Sequence, residues 1–261
     1  MTSEPSLRGP ILCAFDASEP SLLAAHAAAW LAATVGAPLE LVWVVDPDDL
    51  PALPSHGAGI DPYVRDALPE IQEQIAADEA RAELEATLAE LDHVDVSGKV
   101  LSGWPATMIR RRAIDSDAAL LVTGTSMRRG LDRLLWGSVA GALAADSPCP
   151  VVVVPPDAAV GEPGPVLICD DGSEYARRAE AHAQALSARL GRGVDRVAVE
   201  TGDPVEQIAA AAAERRACVV VAGTRGRSQL TWRVFGSVCE GLVRAAGRPV
   251  MLVSAHAHEP A

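Results

Sequence analysis

Short, nearly continuous apolar runs recur along the chain, and helical signals separate most of them. Such runs predict strands that are buried on both faces, and their alternation with helices is typical of a parallel α/β sheet. In the first half the predicted strands are 11–15, 39–45, 94–101, 118–123 and 150–154. We therefore expect an open, five-stranded parallel sheet in this half.

The helices between these strands have recognisable starts and stops. Ser18 and Gly36 bracket an Ala-rich segment as its N-cap and its C-terminal stop. A run rich in Ala, Glu and Leu predicts one solvated amphipathic helix over 68–91. The stretch before it, 46–67, is rich in Asp, Pro and Gly and predicts an irregular insertion.

The strand and helix pattern restarts after 157–165, whose Pro and Gly content predicts a linker. The predicted strands of the second half are 166–170, 194–199, 218–222 and 250–253. Internal repetition of this kind predicts two domains, 1–156 and 166–261. The second domain is shorter and is expected to lack the second strand, the insertion and the acidic helix, about 56 residues in all.

Two glycine-containing loops follow equivalent strands, at 124–138 and 223–237, and each ends where a helix can begin. Glycine lets the backbone approach a ligand closely, and a helix start offers free N–H groups to an anion. The pattern therefore predicts two phosphate-contacting loops. Their matching positions are Gly124, Gly137 and Ser138 in the first loop and Gly223, Gly226, Gly236 and Ser237 in the second.

The formal net charge of −13 is concentrated in the first half. Residues 1–156 carry 22 acids and 10 bases, whereas 157–261 carry 13 acids and 12 bases. Nucleic-acid binding needs a basic footprint, so this charge argues against it. Five cysteines without a C-x-x-C pair indicate free buried thiols in a reducing compartment. With no signal-peptide pattern and no apolar run of membrane-spanning length, we expect a cytoplasmic protein.

Three motifs occur in register in both halves and together resemble the universal stress protein family. They are the strand-end D-x-S-E at 16–19 and 171–174, the loop G-x2-G-x9-G-S, and a closing apolar strand that reads S-P-C-P-V-V-V-V in the first half. The likeness covers almost the whole chain. It implies two tandem Rossmann-like domains, a role in stress response, and a strand-end cleft in each domain.

In the nucleotide-binding branch of that family, the strand-end Asp and a backbone group on strand two hold adenine and ribose. The glycine loop and the following Ser hold the phosphates. The resemblance therefore implies ATP as the ligand, with Mg²⁺ as a further candidate. The implied site residues are Asp16, Val44, Gly124, Gly137, Ser138 and Val139 in the first half, and Asp171, Gly223, Arg225, Gly226, Gly236, Ser237 and Val238 in the second.

Each half departs once from this pattern. Met127 replaces the second loop glycine in the first half, and the second half lacks the strand that would carry a counterpart of Val44. The chain could therefore bind one nucleotide, two or none, and we expect one. The alternative is an interaction or scaffold protein of the same fold that binds no nucleotide and recruits a partner through the acidic helix.

Enzymatic groups are harder to find. The only lysine is Lys99, and neither half has the G-x4-G-K-[ST] of a P-loop, so lysine-assisted phosphoryl transfer is not expected. No nucleophile–base pair can be nominated, which leaves at most slow ATP hydrolysis. We expect Trp104 to be a packing residue, and the tail with His256 and His258 to be disordered and without a metal.

The strands predicted at 150–154 and 250–253 are apolar, and left open such edges would pair with another chain. The resemblance implies that they pair with each other, which makes the tandem chain an intrachain pseudo-dimer. Further assembly into a homo-oligomer, a dimer for example, through the remaining surfaces stays open.

Overall fold

The computed structural model describes residues 8–50, 62–125, 138–198, 202–224 and 237–258, without the side chains of 62–66. The strands are β1 Ile11–Ala14, β2 Leu39–Val45, β3 Val96–Ser102, β4 Leu120–Gly124, β5 Val151–Val154, β6 Val166–Asp170, β7 Val194–Ala198, β8 Val219–Gly223 and β9 Val250–Val253. The helices are α1 Glu19–Val35, α2 Pro62–Glu90, α3 Pro105–Asp115, α4 Ser138–Ala145, α5 Glu174–Leu190, α6 Pro204–Glu214 and α7 Ser237–Ala245.

The nine strands form one continuous sheet in the order β3-β2-β1-β4-β5-β9-β8-β6-β7. Every neighbouring pair is parallel except β5 and β9, which pair antiparallel with Val152 opposite Met251. The predicted α/β class is confirmed. The expected pairing of the two terminal strands is also present, so the sheets of the two halves join at this seam.

Helices cover both faces of the sheet and form two cores. Helices α1, α2 and α5 pack on one face, and α3, α4, α6 and α7 pack on the other. Helix α1 is rich in alanine, which allows a close approach to the strands because alanine adds little bulk. Across the seam α1 packs against α5, where the Arg189 guanidinium donates to the carbonyl of Val35 at the end of α1.

Helix α2 begins earlier than predicted. Its first residue is Pro62, and residues 47–49 form a short 3₁₀ turn, so the prediction of a wholly irregular 46–67 is wrong at both ends. The difference arises at Pro69, which lies inside the helix although proline removes an intrahelical hydrogen bond. A helix of 29 residues extends about 43 Å, about twice the length of β3, so its N-terminal part overhangs the carboxyl edge of the sheet.

The shortened second half keeps four strands, as predicted, but the place of the missing strand is filled. Strand β7 pairs directly with β6, just as β2 pairs with β1. The face of β7 beside α5 is not covered by a counterpart of α2. Arg196 lies there and forms ion pairs with Asp170, at 3.3 Å, and with Glu180, whereas the equivalent residue of β2, Leu41, is fully buried. A charged residue thus replaces an apolar one where the covering helix is absent.

Two short segments cross the seam symmetrically, and we call them the clasps: 155–159 after β5 and 254–258 after β9. The N–H of Ala159 donates to the carbonyl of Gly247 at 3.0 Å, and the N–H of His258 donates to the carbonyl of Pro148 at 2.8 Å. Ala257, within the second clasp, is buried. The prediction that the tail with His256 and His258 is disordered is therefore wrong as far as residue 258. Each half is tied to the turn that precedes the other's terminal strand.

Candidate functional site

A cleft of about 1140 Å³ opens at the carboxyl ends of β1, β2 and β4 in the first half. The starts of α1, α3 and α4 and the overhanging part of α2 form its walls. In parallel α/β sheets this edge is where ligands bind, and the volume suits a ligand of nucleotide size. Five predicted site residues line this single cleft: Asp16, Val44, Gly124, Ser138 and Val139.

Asp16 ends β1 and organises the turn that leads into α1. Its Oδ1 accepts hydrogen bonds from the N–H of Ser18 at 3.0 Å and from the Ser18 hydroxyl at 2.5 Å. Ser18 then caps α1, as predicted. The intervening Ala17 has φ of +56°, a left-handed conformation that L-residues with a side chain rarely adopt. The carboxylate therefore has a structural task in addition to any contact with a ligand.

Asp171 makes the same turn in the second half. Its Oδ1 accepts from the N–H of Ser173 at 2.9 Å, and Ser173 caps α5. The residue equivalent to Ala17 is Gly172, whose φ of +72° costs glycine little. The resemblance of the two strand ends is therefore preserved in three dimensions.

Val44 lies on β2 between Trp43 and Val45 and lines the cleft with both of them. Next to it the ring of Trp43 meets Phe15 edge to face, with centroids 5.7 Å apart. These apolar groups suit the flat face of a base, which binds through stacking and exclusion of water. In the second half the position equivalent to Val44, counted from the register of β6 with β7, is residue 199, which lies outside the described residues.

Gly124 and Gly223 have a reason to be glycine that does not depend on a ligand. A Cβ on Gly124 would lie 2.1 Å from the carbonyl oxygen of Pro20 in the first turn of α1. A Cβ on Gly223 would lie 2.7 Å from the carbonyl oxygen of Tyr175 in α5. Both glycines let a helix cross the end of a strand closely. Their contact with phosphate stays a prediction.

Ser138 begins α4 and is exposed at the cleft, followed by the half-buried Val139. Ser237 and Val238 begin α7 in the same way. The free N–H groups of a helix start suit an anion. The other predicted loop residues, Gly137, Arg225, Gly226 and Gly236, lie outside the described residues, as does Met127.

The described part of the cleft is acidic. Its lining includes carboxylates and no arginine or lysine among the described residues. The carboxylates belong to Asp16, Asp46, Asp49, Glu79 and Glu83. The sequence placed the excess negative charge in the first half, but the helix predicted over 68–91 was assigned to the solvated surface, and Glu79 and Glu83 were not predicted as cleft residues. The overhang of α2 brings them to the sheet edge, because a helix longer than its strand must extend past it.

Trp104 is not a packing residue, so this prediction is wrong. Its side chain is 68% exposed at the cleft rim, where the indole N–H donates to Oδ2 of Asp48 at 3.4 Å. The Pro105 that follows it begins α3, so Trp104 stands just outside the helix as its N-cap residue. An exposed indole beside a cleft provides an aromatic face for a ligand.

The five cysteines are free thiols, and all but Cys169 are fully buried. Burial, with the charges of Glu240 and Asp171 as smaller causes, raises the pKa of Cys239 to about 12. Burial likewise raises the pKa of Cys169, with Cys239 as a secondary cause. Protonated thiols are poor nucleophiles, so none of these is placed for covalent catalysis.

In the described ranges, no group of three or more His, Cys, Asp or Glu side chains is arranged to hold a metal ion. Within the same part of the chain, no helix has the length and apolar character needed to cross a membrane.

The fold and the cleft define a class: a tandem α/β protein with a ligand-sized crevice at the strand ends. The family model described as "Universal stress protein family" matches residues 8–155 and 174–254. The chain belongs to the universal stress protein family, whose members are stress-response proteins.

Individual relatives agree with this assignment. A universal stress protein of Mycobacterium tuberculosis is 31% identical over 214 residues, which covers 78% of this chain and 71% of the relative. One from Methanocaldococcus jannaschii is 32% identical over 141 residues, covering 53% of this chain and 77% of the relative. A universal stress protein structure from Archaeoglobus fulgidus has a TM-score of 0.63 at 19% identity, and it covers 94% of this chain and 98% of that one. This last likeness concerns the fold.

Proposed function

We propose that this chain binds an adenine nucleotide, ATP, in the cleft of its first half, and that the bound nucleotide serves regulation or sensing in stress response. One observation carries the proposal. Five residues chosen from sequence, spread from position 16 to position 139, line the same cleft. Chance would scatter such residues over the surface.

The parts of the cleft match the parts of a nucleotide. Val44 and Trp43 provide an apolar wall for the base, and Asp16 lines the same cleft with a carboxylate that can accept hydrogen bonds from a ribose. Ser138, at the start of α4, supplies a hydroxyl and helix N–H groups for phosphate. The described acidic lining repels phosphate, so Mg²⁺ arriving with the nucleotide would help; the protein itself provides no three-ligand metal site among its described residues.

The second half is the weaker candidate for binding. Among the described residues, the second half has no counterpart of α2, the helix that forms one wall of the first cleft. At the positions equivalent to Ala14 and Ala140, which line the first cleft, the second half carries the larger Cys169 and Cys239. A narrower floor and an open side both reduce the surface of a ligand that can be buried. One nucleotide per chain is therefore the expected stoichiometry.

Isothermal titration with ATP tests both the ligand and the cleft. Ser138→Asp places a negative charge where phosphate would lie, and we expect it to weaken ATP binding at least tenfold, about 1.4 kcal/mol. Ser237→Asp, the matched control at the start of α7, should bind as the wild type does. Aspartate in the first turn favours a helix, so both variants should fold. Absence of heat with the wild-type chain, or equal binding by both variants, contradicts the proposal.

A second candidate function is recruitment of a protein partner without a nucleotide. Ile71 and Ile75, one turn apart on the acidic α2, are 47% and 53% exposed. Exposed isoleucines amid carboxylates suit a basic amphipathic segment. Ile71→Glu with Ile75→Glu should abolish capture of such a partner, while Ser138→Asp leaves it unchanged. If Ser138→Asp abolishes capture of the partner, the partner depends on the nucleotide cleft and this second candidate function is wrong.

We further propose that the two repeats act as an intrachain pseudo-dimer with limits at 1–156 and 166–261, in the cytoplasm. The antiparallel seam of β5 and β9 and the two clasps support this arrangement. Any hydrolysis of ATP would be slow, because the described lining of the cleft supplies no arginine or lysine to stabilise a transferring phosphoryl group.

A further inference from the structure

Two cysteines occupy positions at the floor of the second cleft where the first repeat has alanines. Cys169 in β6 is equivalent to Ala14 in β1, since both stand two residues before the aspartate of the strand-end turn. Cys239 is the third residue of α7, as Ala140 is the third residue of α4. Ala14 and Ala140 line the first cleft together. Their counterparts therefore share the floor of the second.

The packing of the second repeat agrees with this placement. Both cysteines belong to the core between the sheet and helices α6 and α7. The thiol of Cys239 donates to the carbonyl of Gly223 at 3.4 Å, at the end of β8, and β8 is the neighbour of β6. Cys239 is buried, whereas Cys169 is partly exposed. A ligand can therefore reach the buried Cys239 by way of the partly exposed Cys169.

The charges around the pair favour a cation. Asp171 follows β6, and Glu240 follows Cys239 in α7; both act on Cys239 as negative charges. The remaining surroundings are apolar. A cation is attracted by the carboxylates, but a low-polarity floor favours a complex whose net charge is zero.

We propose that Cys169 and Cys239 form a binding site for a soft divalent cation that accepts two thiolate ligands, with Hg(II) as the prototype. Two S–H bonds break, two metal–sulfur bonds form, and two protons leave to water, so no oxidation state changes and the complex is neutral. Thiolates select soft metals.

Other metals fit this pair less well. Structural zinc requires four ligands, and no cluster of three potential ligands occurs among the described residues. Cu(I) with two thiolates forms an anionic complex, which the apolar floor and the carboxylates disfavour.

Mercuric chloride is the probe, added in increments to the folded, nucleotide-free chain. Mass spectrometry under native conditions counts bound mercury, and alkylation after denaturation identifies the protected cysteines. We expect the first equivalent to bind once per chain and to protect Cys169 and Cys239 together. Cys169→Ala and Cys239→Ala install the residues of the first repeat, and each should weaken binding about 100-fold or more. Cys218→Ala, which removes the thiol of the residue just before β8, is the matched control and should not change mercury binding.

Protection of other thiols by the first equivalent overturns the proposal, as does unchanged binding by either alanine variant. Mercury taken up only when the circular dichroism of the chain is lost also overturns it. The protection pattern is read from the wild-type chain, so the test stands even if a variant folds poorly. The measurement contains no nucleotide, and its outcome is independent of ATP binding.

Discussion

Gly124 and Gly223 each end a strand where the first turn of a helix crosses it, and they meet different degrees of crowding. The carbonyl oxygen of Pro20 would lie 2.1 Å from a Cβ on Gly124, and that of Tyr175 would lie 2.7 Å from one on Gly223. Real Cβ atoms do not approach oxygen so closely, so a methyl group at either position must displace a helix backbone. Packing of a helix against the strand end therefore requires glycine at these two positions, whether or not a ligand contacts them.

We predict that Gly124→Ala lowers the free energy of unfolding by about 2–3 kcal/mol, and that Gly223→Ala lowers it by less. Urea unfolding followed by circular dichroism measures both values. Because α1 and β4 also border the cleft, Gly124→Ala should weaken ATP binding as well. Equal destabilisation by the two variants would show that the crowding at Pro20 relaxes without cost.

Individual positions differ in how far the sequence predicts them. Ser18 and Gly36 were predicted as the ends of α1 because a cap acts on the adjacent turn of backbone. The solvent exposure of Trp104 was not predicted, since it depends on where α3 turns relative to the cleft. Local signals gave the residues that shape a turn, whereas exposure at the site depends on elements distant in sequence.

At the scale of elements, two ion pairs attach a helix to the sheet in very different surroundings. Arg112 of α3 donates to both oxygens of Glu40 in β2 at 2.6 Å, and the two side chains are only 25% and 13% exposed. The hydrogen bond to Glu40 is the main reason why the pKa of Arg112 is raised. Arg196 of β7 pairs with α5 on a surface where its own side chain is 51% exposed. We expect the contribution of each arginine to stability to depend on how deeply its ion pair is buried, and not on how many pairs it forms.

Arg112→Gln should therefore destabilise the chain by about 2 kcal/mol, because it leaves the sheltered Glu40 carboxylate without its charged partner. Arg196→Gln is the comparison variant and should cost less than about 1 kcal/mol, since water replaces the lost pair. Thermal and urea unfolding of the two variants side by side gives the contrast. If Arg196→Gln lowers the stability more than Arg112→Gln does, the ion pairs of Arg196 on β7 are a major stabilising contact.

The element scale also marks where sequence reasoning stopped. Strand number and the α/β order followed mostly from apolar runs, which report burial locally, although the edge strands β3 and β7 are largely exposed. The position of β7 beside β6 did not follow, because a strand's neighbour depends on which other strands compete for the same edge. With the second strand absent, β7 takes its place and Arg196 meets Asp170 across the new pairing. For the same reason, the residues that line the cleft could not be predicted from local sequence. Glu79 and Glu83 of α2 line it only because α2 overhangs the sheet.

Across the whole molecule, the clasps connect the two repeats in a reciprocal way. The clasp at 254–258 adds a buried hydrogen bond from the Ser254 hydroxyl to the carbonyl of Ser147, at 2.9 Å. Arg178 of α5 donates to the carbonyl of Ala255 and holds the same segment from below. The composition of the tail suggested disorder, yet contacts with the opposite repeat order it as far as residue 258. The second clasp is therefore part of the fold of both repeats.

His182 of α5 lies near this clasp and gives the whole molecule a dependence on pH. It is 2% exposed, and neither ring nitrogen has a hydrogen-bond partner of good geometry among the described residues. Burial first, and the charge of Arg178 second, lower the pKa of His182 to about 4, while the nearby backbone of His258 opposes the shift weakly. The ring is therefore neutral in the folded chain at neutral pH.

The sign of the resulting effect follows from linkage. Between pH 6.5 and 4 the unfolded chain binds a proton at His182 that the folded chain does not, so stability falls as the pH is lowered through this window. The loss approaches about 3 kcal/mol at the acid end. His182→Leu should flatten this part of a urea-midpoint profile measured from pH 7.5 to 4.5, whereas replacing the exposed His26 by Leu should leave it unchanged. A wild-type slope that persists in His182→Leu would assign the acid sensitivity to carboxylates instead.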